Sequence, residues 1–465
     1  MPERNYDVAI LGGGPGGYVA AIRAAQLGLK VCVIERDRLG GICLNWGCIP
    51  TKALLKNAEV YNTVRNSAEW GISCSDVKVD FTKVIKRSRD VASMNSRGVE
   101  YLFKKNKIEL IAGRGKLFAR GKVEVTKEAK PPETIASRHI ILATGARARS
   151  LPGVAIDGKK VITSTEAMVL GSPPASMIII GAGAIGVEFA YLYNSFGTKV
   201  TIVEMMPTIL PVEDREIARL LESNFRKHGI EIHTGARVER VTAGRDVAVS
   251  VTSSEGPREL HSEIALMSVG VQGNVEDIGL EALGVKTERG GWITVDDLGR
   301  TSVEGIWAIG DVAGAPWLAH VASREGVNTA EAIAGKDPVP IDYDNIPGCT
   351  YCQPQVASIG LTEEKAAATG RELAIGRYPF TASGKARAIG ETDGLVKLIF
   401  DRKYGGLLGA HILGADATEM IAELAVARTL ETTARGIIST IHAHPTLSEA
   451  VMEAAENAFG HAIHI

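Results

Sequence analysis

Apolar positions along the chain cluster in short runs that alternate with small-residue helical stretches, and one such arrangement occurs twice. The first copy runs Tyr6-Asp-Val-Ala-Ile-Leu, with Val8 to Leu11 strand-like, then Gly12-Gly-Gly14-Pro-Gly-Gly17, then a helix predicted over Tyr18 to Leu27. A second strand, Lys30 to Ile34, ends on Glu35. The other copy opens with Met177-Ile-Ile-Ile and turns through Gly181-Ala-Gly183-Ala-Ile-Gly186 into a helix reaching Ser195. Its second strand, Lys199 to Val203, ends on Glu204. Elsewhere the pattern predicts strands over Glu263 to Val269, Leu395 to Phe400 and Gly406 to Leu413, and a strand entry at Thr350 to Leu361. Helices are predicted over Pro50 to Val64, Glu419 to Thr432 and Ala450 to Phe459.

Strand, glycines, helix, strand and acid in that order describe a dinucleotide-binding unit. The first glycine makes the turn, the second lets backbone approach a pyrophosphate, and the third lets helix and strand pack closely. The helix N-terminus offers N–H groups and a positive dipole end to phosphate, and the acid accepts from ribose hydroxyls. Two units in one chain imply electrons or hydride passing between two cofactors. Glu204 would repel a 2′-phosphate, and Met205 to Val212 holds no Arg or Lys to bind one, which favours NAD over NADP.

Composition narrows the partners. The chain has 465 residues, 45% hydrophobic and 23% charged, with 52 Lys and Arg against 54 Asp and Glu. The net charge of -2 argues against nucleic acid or an anionic membrane surface as the main partner. The longest apolar stretch, Met177 to Val187, is broken by Gly181, Gly183 and Gly186 and closed by Glu188, too short to span a bilayer. No secretory signal is visible, so a reducing, cytoplasmic setting is expected. The six cysteines should then be catalytic or buried rather than structural disulfides.

Two of them stand apart. Cys43 and Cys48 lie in Gly40-Gly-Ile-Cys43-Leu-Asn-Trp-Gly-Cys48-Ile-Pro50-Thr-Lys52, at the N-terminus of the predicted Pro50 helix. Thiols with four residues between them there can bridge, and the helix dipole with Lys52 should lower the thiolate pKa. Cys32 reads as strand packing, Cys74 as a polar-loop residue, and Cys349 with Cys352 as packing rather than a second redox pair or metal site. Toward the end, Ile441-His442-Ala-His444-Pro445-Thr-Leu-Ser-Glu449 reads as a turn before a helix. A His activated by a carboxylate is the usual equipment for taking a proton from a thiol, although taken alone such a His is more often structural than catalytic. His139, His233 and His261 lack such context, and no metal site is expected.

With these parts assembled, the chain resembles the pyridine nucleotide–disulfide oxidoreductase family along its whole length, and within it the members that oxidise dihydrolipoamide. The carrying motifs are the Cys43 to Cys48 segment, Ala143-Thr144-Gly145, Gly305-Ile-Trp-Ala-Ile-Gly-Asp311 and His442 to Glu449. The resemblance implies that Gly12, Gly14, Gly17 and Glu35 hold the adenosine diphosphate half of FAD, with Thr144, Gly145, Asp311 and Ala319 nearby. It implies that Gly181, Gly183, Gly186 and Glu204 hold NAD, with Gly270 also facing a cofactor. Lys52 would lie by the flavin and pair with Glu188. Cys43 would exchange with substrate and Cys48 would face the flavin. His444, oriented by Glu449 and followed by a cis Pro445, would serve the cysteines of the other subunit of a homodimer.

The implied fold is α/β: an FAD domain over 1–148 completed by 271–345, an inserted NAD domain over 149–270, and an α+β interface domain over 346–465. The implied reaction carries electrons from protein-bound dihydrolipoamide through a Cys43–Cys48 disulfide and FAD to NAD+. A lipoyl domain on another chain, from a 2-oxoacid dehydrogenase or glycine cleavage complex, would be the partner. One departure is visible: many relatives continue Gly-Arg-x-Pro-Asn where this chain has Gly270-Val-Gln-Gly-Asn274. Another FAD-dependent disulfide reductase and a non-catalytic docking flavoprotein remain the alternatives. Glutathione reductase would want basic residues after Glu204, mercuric reductase a cysteine pair in the C-terminal tail, and a scaffold has no need of the Cys and His/Glu motifs.

Overall fold

Both copies of the repeat form a core of four parallel strands with one strand order, to which the first adds an antiparallel pair, Lys122–Lys127 and Arg114–Ala119. In the computed structural model, which describes residues 4–128 and 130–465, the first sheet runs Glu109–Ala112, Val31–Glu35, Arg4–Leu11, Lys130–Leu142. The second runs Glu231–His233, Lys199–Val203, Ser176–Ile180, Ile264–Met267. In each, the glycine turn leaves a central strand, as the crossover rule for open α/β sheets requires of a ligand-facing turn. Residues alternate between two buried faces. Ala9 and Leu11 enter one apolar cluster while Val8 and Ile10 enter the other. Burial on both faces is what makes such strands near-continuous apolar runs rather than alternating ones.

Two compact units emerge. One contains Met1–Leu54, Thr82–Arg149 and Gly270–Ile341; the other contains Leu55–Phe81, Ser150–Val269 and Asp342–Ile465. In the first, Ile306–Ala308 adds in parallel beside Lys130–Leu142. The helices Pro15–Gln26 and Ala319–Ile333 meet so closely that a Cβ on Gly326 would lie 2.6 Å from the Gly16 carbonyl oxygen.

In the second unit an antiparallel sheet of Gly348–Thr350, Gln355–Gly360, Leu407–Gly414, Leu395–Asp401 and Leu373–Pro379 packs on helices Ala417–Thr429 and Glu449–Ala458. The predicted strand entry at Thr350 to Leu361 holds the strand Gln355–Gly360 and the last residue of Gly348–Thr350. Cys352 is buried and Cys349 packs against this sheet's core, while Cys32 is buried and Cys74 exposed. Among the described residues, no helix is long and apolar enough to cross a membrane.

Candidate active site

The two glycine turns match bond for bond. Gly12 N–H donates to Ile34 O and Gly181 N–H to Val203 O, each at 2.9 Å. Both glycines are left-handed, with φ of 105° and 100°. A Cβ on Gly12 would lie 2.1 Å from Ala143 O, and one on Gly181 2.5 Å from Ser268 O. A Cβ on Gly17 or Gly186 would strike the carbonyl of Gly12 or Gly181 at 2.0 and 2.1 Å. The middle glycines differ from these. Beside Gly14 the nearest atom to an added Cβ is 3.9 Å away, and beside Gly183 nothing lies within 4 Å. The space is open where a pyrophosphate would approach, and neither following helix has a side-chain N-cap to occupy its leading N–H groups.

Each acid is tied to its own turn. Glu35 accepts from Gly13 N–H at 2.7 Å and Asp37 N–H at 2.8 Å; Glu204 accepts from Ala182 N–H at 2.7 Å and Met206 N–H at 2.8 Å. The carboxylates therefore stand at the rim of the turn where ribose hydroxyls would lie. These cradles fit the dinucleotides that the sequence implies.

What covers the turns differs. Gly13 O accepts from Gly40 N–H at 2.8 Å, and a Cβ on Gly41 would lie 2.7 Å from Gly14 Cα. Gly40 and Gly41 begin a short helix, Gly41–Trp46, that carries Cys43. Sequence reasoning missed this helix, because a glycine pair reads as loop. Cys48 then opens the helix Cys48–Arg65, two residues before the predicted start, with Pro50 inside the first turn where its missing N–H costs nothing. Buried Asn45 ties the short helix to Leu39 O and Gly41 O, both at 3.0 Å. From the helix Phe81–Lys105, Ser88 donates to Pro50 O at 2.9 Å and Arg89 to Asn45 O at 2.7 Å. The thiol-bearing backbone is braced from behind.

Cys43 and Cys48 are half-buried, unbridged and hydrogen-bonded to each other. The expectation of a lowered pKa is not met at Cys43. Its hydrogen bond to Cys48, then burial and the Cys48 charge, push it well above the ordinary thiol range, and the pull of Lys52 does not offset them. Asp311, in the single-turn segment Gly310–Ala313, is also pushed up, to about 6, by burial and by Glu325. Glu325 holds the Gly310 N–H at 2.6 Å. Sequence reading passed over Glu325 because nothing local links it to Gly310. Ala319 is the first residue of the helix that carries it.

The departure at 270–274 is absorbed locally. Val271–Gly273 pairs antiparallel with Ala146–Ala148, and Gly270 O accepts from Arg149 N–H at 3.0 Å. Asn274 clamps Thr144, donating to its carbonyl at 2.9 Å while Thr144 Oγ1 donates to Asn274 O at 2.8 Å. A Cβ on Gly273 would lie 2.0 Å from Gly291 O, so the proline of relatives does not fit here.

His444 and Glu449 come together as expected. Nδ1 lies 2.9 Å from Glu449 Oε1, and Glu449 Oε2 accepts from Thr446 N–H at 2.8 Å. The His444–Pro445 peptide is cis. Burial raises the Glu449 pKa, but the Thr446 N–H and His444 outweigh it and leave the carboxyl below its usual range. The His444 side chain is 80% exposed. His442 instead is enclosed, its Nε2 2.7 Å from Glu423 Oε1. Glu188 is buried, and its Oε1 accepts from Tyr351 N–H at 3.0 Å.

Comparison with known proteins agrees with this geometry. Residues 6–326 match the pyridine nucleotide-disulphide oxidoreductase model, and residues 346–455 match that family's dimerisation domain. The dihydrolipoyl dehydrogenase of Zymomonas mobilis is 51% identical, with 99% of each chain covered. That of Rhizobium etli is 50% identical, with 98% of each covered. Among solved structures, LpdA from Mycobacterium tuberculosis superposes with a TM-score of 0.90 at 28% identity, covering 97% of this chain and 99% of its own. The chain belongs to the pyridine nucleotide–disulphide oxidoreductase family.

Proposed function

We propose that this oxidoreductase is a dihydrolipoamide dehydrogenase, oxidising protein-bound dihydrolipoamide through Cys43 and Cys48 with FAD at the first turn and NAD+ at the second. The observation that carries the proposal is the thiol pair that follows the first turn, Cys43 on the helix Gly41–Trp46 and Cys48 opening the next, with a Gly41 Cβ only 2.7 Å from Gly14 Cα. Names shared by relatives at about half identity over full length support the substrate.

Gly12, Gly14, Gly17 and Glu35 would hold the flavin nucleotide, with Thr144, Gly145, Asp311 and Ala319 around it. Gly181, Gly183, Gly186 and Glu204 would hold NAD, and Gly270, just before the strand Val271–Gly273, would face a cofactor. Lys52 pairing with Glu188 would fix a cation near the flavin. The segments 1–148 and 271–345, 149–270, and 346–465 serve as flavin, nicotinamide and interface domains. The family's dimerisation domain supports a homodimer in which His444 and Glu449 serve the other subunit's cysteines.

His444 Nδ1 is held by Glu449, so Nε2 remains the acceptor for a substrate thiol proton. The resulting thiolate attacks Cys43 Sγ and opens the Cys43–Cys48 disulfide. The second substrate thiol then attacks the substrate sulfur of that mixed disulfide, closing the lipoyl ring and releasing Cys43. Two electrons and two protons leave the substrate; one proton rests on His444 and the other on Cys43. The hydrogen bond to Cys48 and burial favour the protonated form of Cys43. Bound FAD supplies a two-electron acceptor for the reduced pair, and bound NAD+ the final hydride acceptor.

The test is NADH formation by the purified protein from dihydrolipoamide and NAD+, set beside oxidised glutathione and mercuric ion as alternative substrates with NADPH. Turnover with dihydrolipoamide that disappears in Cys43→Ser and Cys48→Ser supports the proposal. Preference for either alternative substrate would reassign the chain within its family, and a flavin-containing protein inert to all three would make it a docking subunit.

A further inference from the structure

The segment 205–213, between Glu204 and the helix Arg215–Lys227, is pinned at both ends and strained between them. At its start Met206 N–H donates to Glu204 and Met206 O accepts from Gly235 N–H at 2.9 Å. Near its middle, buried Leu210 has φ of 45°, a conformation that a non-glycine residue keeps only where its surroundings over-determine it. Leu210 N–H donates at 2.8 Å to Ala182 O, the middle peptide of the second glycine turn.

The far end is held by a charge cluster centred on the buried pair Lys397 and Asp214. Asp214 caps the helix Arg215–Lys227 through Glu216 N–H at 3.0 Å and also accepts from Glu363 N–H at 3.1 Å. Lys397 Nζ reaches Asp214 at 2.8 Å, Glu216 at 2.9 Å and Glu363 at 2.6 Å. Arg377 adds contacts to Glu216 at 2.9 Å and Glu363 at 3.0 Å. The Lys397 side chain is 2% exposed and lies on Leu395–Asp401, a strand buried at every position. Burial alone would favour neutral Lys397, but the three carboxylates more than reverse that and keep its pKa above the ordinary value.

A buried ion cluster adds little stability over well-packed apolar side chains; what it adds is fixed geometry. The geometry it fixes is the anchor of the strained loop. We propose that Lys397 is a positioning residue for the nicotinamide nucleotide site. By tying Asp214 to the interface sheet, it holds the 205–213 loop and Leu210 against the second turn, and so sets affinity for NAD. The proposal rests on the reading of that turn as the NAD site.

Turnover through a reduced-enzyme intermediate is ping-pong, so kcat/KM for each substrate reports its own half-reaction. In Lys397→Met holoenzyme, kcat/KM for NAD+ should fall roughly 5- to 30-fold while that for dihydrolipoamide is unchanged. The dissociation constant for ADP-ribose, measured by calorimetry, should rise by a similar factor, and Lys397→Arg should recover part of both. Unchanged ADP-ribose affinity in a folded, flavin-loaded Lys397→Met would overturn the proposal. So would equal losses in both half-reactions, which mark a structural role only. If Lys397→Met does not fold, Glu363→Gln removes one of the three negative charges around Lys397, and its ADP-ribose affinity must weaken or the proposal fails. Wild-type protein that binds no ADP-ribose would instead refute the reading of the second turn.

Discussion

In the first turn the middle peptide accepts from Gly40, which opens the helix carrying Cys43. In the second the equivalent peptide accepts from Leu210, whose loop ends on a helix anchored by buried Lys397. The turns, acids and strand registers beneath are otherwise repeated, and both acids lie 22 residues beyond the peptide they bind. One turn thus lies against the segment that carries Cys43, and the other against a plain loop. On the proposed assignment, a binding unit becomes half of an electron-transfer site through the segment after its second strand, not through the glycines.

The sharpest way to break that comparison is to add one methyl group to each turn. In Gly17→Ala the new Cβ meets the Gly12 carbonyl, which costs on the order of 1–3 kcal/mol of strain or displaces the helix. Gly186→Ala creates the same clash with Gly181. Gly17→Ala should yield colourless protein without either half-reaction, as read by flavin absorbance. Gly186→Ala should stay yellow, be reduced by dihydrolipoamide, and lose turnover with NAD+. Equal flavin loss in both would erase the distinction between the turns.

Next in size is cofactor choice. Like charges in contact cost several kcal/mol, so NADH should outpace NADPH by roughly 100-fold or more in flavin reduction. Glu204→Ser with an Arg placed nearby should narrow the gap; equal wild-type rates would remove the assignment of Glu204. Asp311 offers a third contrast, since no such residue marks the second turn. Its folded pKa of about 6 lies above its unfolded value, so the folded apoprotein binds the extra proton and loses stability as pH rises from about 4 to 6. Asp311→Asn should make apoprotein more stable above pH 6, by at most about 3 kcal/mol in chemical denaturation, with little difference below pH 4. A variant no more stable at neutral pH would show that the burial is relieved in solution.

Smallest is a rescue. Cys48→Ser and His444→Ala homodimers should each be inactive, but co-refolded in equal amounts they should regain about a quarter of wild-type turnover. About half the dimers are then mixed, each with one whole site. No recovery despite mixed dimers seen by native mass spectrometry would place His444 in its own chain's site.

Much of this was legible from periodicity. The strand Lys199–Val203 and the end of the helix at Ser195 fall where the pattern put them, because buried parallel strands and small-residue helices leave continuous runs. Cys43, Cys48, His444 and Glu449 stood out because their chemistry depends on short spacings. Illegible were contacts between distant segments. Lys397 sits in an otherwise apolar run, a visible anomaly, but its partners Asp214, Glu216 and Glu363 come from two other parts of the chain. The left-handed Leu210 carries no local signal at all, since its conformation is imposed by packing. The expected acid thiol at Cys43 failed for a similar reason: the dipole and Lys52 are readable, whereas burial and the hydrogen bond to Cys48 are not.

The central claim is that electrons enter at Cys43 beside the first turn and leave at the second. It is tested most directly by measuring the two half-reactions separately, without oxygen, in Cys43→Ser. The flavin of this variant should be reduced by NADH at close to the wild-type rate and not at all by dihydrolipoamide. Reduction by dihydrolipoamide at an undiminished rate, or loss of reduction by NADH in a flavin-loaded variant, would contradict it.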